Sequence, residues 1–152
     1  MRFVSGSIGS QPEATASPIC ASDVGLRRMR EGDARKDGTV KKAAFLPSRN
    51  GKDRDGLSIS ISDPAFLQVH REKFEQTGKA TAAIQVSSIE GLGLAVHADP
   101  DPPDLRHALI KGIPDITIEA NVAEVERIAE LLAKKAALYR FPRPQPLENK
   151  TQ

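Results

Sequence analysis

Leu57-Ser58-Ile59-Ser60-Ile61-Ser62-Asp63-Pro64 is the stretch on which the fold turns. Its strict alternation sets Leu57, Ile59 and Ile61 on one side and the three serines on the other. Period two with β-branched residues describes a half-buried strand. The alternation ends at Asp63-Pro64, where helix-start signals take over. Ser62 or Asp63 can cap free N–H groups, and Pro64 suits a first helical turn because its missing N–H is not needed there. The spacing predicts a helix over residues 64–76, terminated by Gly78.

Downstream, residues 79–86 predict a second strand, with Ala82, Ile84 and Val86 on one face. Residues 87–93 read as a turn and 94–98 as a short apolar strand. Residues 105–111 read as a helical turn closed by Gly112, and 116–119 are too short to assign. The strongest helix is predicted over residues 122–139. Val122, Val125, Ile128/Ala129, Leu132 and Ala136 form its apolar stripe, Asn121 is its cap, and Glu124 stands at capping-box spacing.

Upstream, residues 26–30 suggest a helical turn, residues 40–46 a strand stopped by Pro47, and residues 48–56 a polar loop. The whole predicts an α+β fold: a small antiparallel or mixed sheet with two main helices packed on one face.

A chain of 152 residues suits one domain. Residues 1–22, rich in Ser, Gly, Ala and Pro, are expected to form a flexible N-terminal arm. Residues 23–139 form the domain, and residues 140–152, with Pro142, Pro144 and Pro146, an extended tail. That tail has the form of a polyproline segment able to dock in an aromatic groove, though a plain terminus explains it as well. Five Phe, one Tyr and no Trp leave the core to aliphatic residues and offer little surface for stacking bases or sugars. The lone Cys20 excludes an internal disulfide framework. No stretch approaches the roughly 20 apolar residues of a membrane span, and the N-terminus lacks a signal-like apolar run. A cytoplasmic protein that does not engage membranes is the simplest expectation.

Charge is unevenly spread. Residues 27–54 hold ten basic and four acidic residues, whereas residues 99–130 hold three basic and eight acidic. Such asymmetry orients partners or favours head-to-tail association, but two solvated surfaces explain it too.

The segment from His97 to His107 holds two of the three histidines and the aspartates Asp99, Asp101 and Asp104. Imidazoles and carboxylates suit metal binding or acid–base chemistry. Their spacing matches no metal signature, and the Asp/Pro run reads equally as a solvated turn. If a site exists, His97 and His107 are its bases and Asp99 the orienting carboxylate. His70, four residues from both Phe66 and Phe74, is the remaining imidazole, and the plainer reading makes it part of an apolar helix face.

Arg27, Arg28, Arg30, Arg35, Lys36, Lys41 and Lys42 are candidate phosphate contacts, without the interleaved aromatics or recognition helix of specific readout. Residues 51–56 resemble the centre of a calcium loop but lack its first acidic ligand and the closing glutamate. Gly91-Leu92-Gly93 is a fragment of a phosphate loop, better read as a turn. Ser58, Ser60 and Ser62 are the wet face of a strand rather than nucleophiles. Phosphate-loop, nucleophile-elbow and zinc-protease motifs are absent from the sequence, and no cofactor is expected.

Lys42-Ala43-Ala44-Phe45, Asp55-Gly56-Leu57-Ser58 and the segment from His107 to Gly112 together resemble small bacterial proteins of uncharacterised activity. The resemblance implies a bacterial origin and a compact domain, and transfers no functional residue. The expectation is therefore a non-catalytic binding or assembly module of a bacterial complex, with a protein partner or self-association. The alternatives are a small enzyme using His70, His97 and His107 with an aspartate, and a nucleic-acid-binding accessory protein using residues 27–54.

Overall fold

The computed structural model describes residues 18–63, 71, 72 and 74–141. Six strands form one sheet: β1 (Val24–Arg30), β2 (Leu57–Ile61), β3 (Lys79–Gln85), β4 (Ala95–Ala98), β5 (His107–Lys111) and β6 (Ala137–Tyr139). Their order across the sheet is β4-β5-β2-β1-β3-β6, and every pairing is antiparallel. Two α-helices accompany it, the short α1 (Val86–Glu90) and the fourteen-residue α2 (Val122–Lys135). The α+β class and the antiparallel sheet agree with the sequence reading.

β2 and β3 form where alternation places them. Leu57, Ile59, Ile61, Ala82 and Ile84 are all buried in the main core. α2 adds Ile128, Ala129, Leu132 and Ala133 from its apolar stripe. Burying a large aliphatic side chain of this kind contributes about 1.5–3 kcal/mol. The short 3-10 turn Lys42–Phe45 inserts Phe45 beneath α2, completing that layer.

Several local expectations are corrected. Residues 26–30 are not a helical turn but part of β1, a central strand. Its run of arginines hides the alternation that seven register pairs with β3 impose. Residues 40–46 are not a strand: Lys42–Phe45 close a 3-10 turn, in which the adjacent Ala44 and Phe45 are both buried. Residues 107–111 are β5 rather than a helical turn, because Ala108 and Ile110 both face the core. α2 ends at Lys135, and the residues after it turn out to pair with β3 as β6. Asn121 makes no side-chain cap; its Nδ2 donates to the Asp115 carbonyl instead.

Two main helices on one face is also corrected. Among the described residues α2 is the one long helix. The helix expected over 64–76 falls mostly outside them; residues 71, 72 and 74 are helical. Phe74 packs with Leu26 and Phe141 in a cluster separate from the main core. Leu26 and Met29 sit on opposite faces of β1, and Met29 belongs to the main core, so Phe74 covers the face away from α2.

Residues flanking 23–139 also pack on the fold. Ile19 packs against the core, and Ala21 accepts a hydrogen bond from Ser87 N. Phe141 is buried at the other end. Residues 1–17 and 142–152, with the rest of the expected arm and tail, lie outside the described residues.

Candidate binding cleft

β1 and β2 pair at only two positions, Gly25 with Ile61 and Leu26 with Ser60. Beyond them the strands separate, and a cleft of about 950 Å³ opens, with Leu26 to Arg30 on one side and Ser58 to Ser60 on the other. The side chain of Arg27 enters the gap. Its Nε donates to the Ala44 carbonyl and its Nη1 to the Ser58 carbonyl, at 2.8 Å. The guanidinium also lies 5.9 Å from the centre of the Phe45 ring. Burial lowers its pKa from the usual arginine value, against a raising influence from Asp53. Arg27 therefore joins the two strands where their ladder stops.

Alternation sends Arg28 and Arg30 to the other face, where Lys79 stands directly opposite Arg30. Arg28, Arg30 and Lys79 all line the cleft, as do Lys52 and His107. Acidic groups share its walls: Asp33, Asp53 and Asp101.

The other basic candidates are dispersed. Arg35 holds a turn through Thr39 Oγ1 and the Val40 carbonyl. Lys42 and Arg49 both approach Glu126 of α2, at 3.5 and 3.7 Å. Lys36 and Lys41 are exposed away from this cleft. The stretch continuous in sequence is thus spread over several surfaces, and only part of it meets in the cleft.

No family model, curated protein or solved structure matches this chain.

The Asp/Pro segment folds as a loop between β4 and β5, closed by reciprocal backbone hydrogen bonds between Asp101 and Asp104. Asp104 is buried and accepts the Ser60 hydroxyl at 2.6 Å and the Arg106 amide at 3.1 Å. Arg106 in turn reaches Asp63 at 3.2 Å and Asp23 at 3.6 Å. These bonds tie the loop to β2 and to the start of β1.

The structure brings Asp99 to His107. Nδ1 of His107 is 2.9 Å from the Asp99 carbonyl and 3.2 Å from its Oδ2. Two acceptors facing one nitrogen call for a proton on Nδ1. His97 shares that sheet face, since it opposes Leu109, two residues along from His107, but it is exposed. His70 lies outside the described residues. Among those described, no three His, Cys, Asp or Glu residues are grouped as a metal site.

Sequence alone marks neither Lys79 as the neighbour of Arg30 in the cleft nor Ser60 as the partner of Asp104. Lys79 opens a strand, and nothing local marks its register against Arg30. The hydroxyl and the carboxylate are 44 positions apart, so no local spacing signals their bond.

Proposed function

We propose that this chain is a non-catalytic binding module, a component of a bacterial protein complex, and that it receives its partner in the cleft between β1 and β2. The supporting observation is the cleft itself. Arg28, Arg30 and Lys79 stand on strands fixed by cross-strand pairing, while Ser60 and Arg27 are engaged in structural hydrogen bonds. A backbone held by the sheet presents these charges at fixed positions along the strand, which limits the ordering needed on binding. A cytoplasmic setting accords with this reading, as Cys20 is an exposed free thiol. No helix among the described residues is long and apolar enough to cross a membrane.

The test is position-specific crosslinking in the native host, with a photoreactive amino acid replacing exposed Ser58 in the cleft or exposed Ala123 on α2. One discrete adduct at position 58 and none at 123 is expected. No adduct at 58, or the same adducts at both positions, overturns the proposal.

A second reading has one observation in its favour: His107 lines the same cleft with Nδ1 held by Asp99. That is the orientation of a general base. A panel of activated carboxylate and phosphate esters tests it. Turnover abolished in His107→Gln supports catalysis, and no turnover by the unaltered chain counts against it.

A further inference from the structure

The two edges of the sheet are finished differently. At β6 the Leu138 N–H donates outward to the Gly38 carbonyl at 2.8 Å, so a turn closes that edge. At β4 the ladder with β5 fixes which groups point outward. Asp99 N donates to the His107 carbonyl, and the register then sets Ala95, His97 and Asp99 in hydrogen-bonded pairs with β5. Val96 and Ala98 therefore turn their N–H and C=O groups away from β5. Those groups have no hydrogen-bond partner among the described residues. β4 also lacks the usual guards of an open edge, since none of Ala95, Val96, His97 and Ala98 is charged or a proline.

We propose that a second copy of this chain pairs with this edge, β4 against β4 and antiparallel, about a two-fold axis at His97. Val96 of each copy then faces Ala98 of the other, and each such pair exchanges both N–H···O=C bonds. His97 faces itself as a non-hydrogen-bonded pair, and the interface is isologous, as two-fold symmetry demands. The charges match in the same register. Asp99 stands opposite Ala95 of the second copy, and Ala95 in turn stands beside Lys111 on β5. Only that alanine separates the carboxylate from the ammonium on one sheet face. Two strand spacings, about 10 Å between backbones, are within the combined reach of the two side chains. Lys111 has no carboxylate within ion-pair distance among the described residues. Asp99 turns Oδ2 to His107 of its own chain at 3.2 Å, which leaves Oδ1 for the lysine. A strand of another protein satisfies the same backbone groups but does not account for this placement of Asp99 and Lys111. The edge lies beyond β5 from the cleft, so the pairing does not draw on the cleft reading.

The test is sedimentation velocity on the full chain. A concentration-dependent dimer is expected at up to about 0.2 mM, a weak association suited to a short edge. Ala98→Pro removes an N–H that serves no bond within the chain, so circular dichroism should be unchanged while the dimer Kd rises about tenfold or more. Ala98→Ser keeps the N–H and should dimerise like the unaltered chain. The register is read by air oxidation in a Cys20→Ser background. His97→Cys should give a disulfide-linked dimer, because opposed residues of a non-hydrogen-bonded pair lie within disulfide distance. Ala95→Cys, which faces Asp99 instead, should not. A monomer throughout the concentration range, leaving the edge to another protein or to another segment of this chain, overturns the proposal. So do an Ala98→Pro dimer as tight as the unaltered one and crosslinking at 95 as complete as at 97.

Discussion

The Ser60 hydroxyl donates to Asp104 Oδ2 across 2.6 Å, with both residues buried. One strand of the sheet thereby fixes a loop that leaves the sheet, and the hydroxyl is held as structure rather than as a nucleophile. Ser60→Ala strands one carboxylate oxygen in the interior. We expect a loss of about 1–3 kcal/mol by urea denaturation. In a double-mutant cycle with Asp104→Ala the two losses should fall well short of additivity. Additive losses would show that the bond contributes nothing.

Arg27 satisfies two carbonyls where β1 and β2 part. Arg27→Met keeps much of the apolar stem but leaves those carbonyls without their donor. The expected cost is about 2–3 kcal/mol, because hydrogen bonds from a charged donor are stronger than neutral ones. Arg27→Lys should recover little, since one ammonium lacks the planar fork that serves two separated acceptors. Full recovery by lysine would mean that charge alone matters there.

Gly56 precedes β2 with φ of +142°, and a Cβ built on it would lie 2.8 Å from the Ile110 carbonyl oxygen. Backbone cannot yield as a flexible side chain can. Gly56→Ala should cost about 1–3 kcal/mol and lower the melting temperature. Gly32→Ala, with open space around it, is the matched control.

Two Asp-x-Thr turns carry a pH signature. Hydrogen bonds from the Thr117 hydroxyl and amide, aided by Arg54, hold the Asp115 carboxyl below the usual carboxylate range, and Thr39 acts likewise on Asp37. A lowered folded-state pKa stabilises the fold above the unfolded value of about 4 and ceases to do so as pH falls through the folded value. The stability advantage over Asp115→Asn should therefore be present at pH 7 and shrink as the pH drops below about 4. Thermal melts of both proteins across that range check it; a pH-independent difference would remove the charge from the explanation.

The sequence alone determined whatever depends on local period. β2, β3 and the apolar stripe of α2 follow from alternation at two residues and recurrence at three to four, and the stripe does face the core. Composition likewise anticipated a core of aliphatic residues. β1 was illegible because arginines interrupt its apolar pattern, and β5 because Ala108-Leu109-Ile110 is a short apolar run with no alternation to separate strand from helix; neighbours on both sides make a strand the better state of each.

The site is a product of tertiary structure throughout. Arg30 meets Lys79, Ser60 meets Asp104, and Arg27 meets Ala44 and Ser58 because sheet register and loop closure bring distant segments together. The segment from His97 to His107 has ligand-like composition, but its fold settles what its groups touch: Asp104 turns inward to a serine, and Asp99 to a histidine eight residues away. Sequence period fixes which face of an element is apolar, since that is decided within one or two turns of chain. Which polar groups share a cleft depends on strand order and register, which pairing across the whole sheet decides.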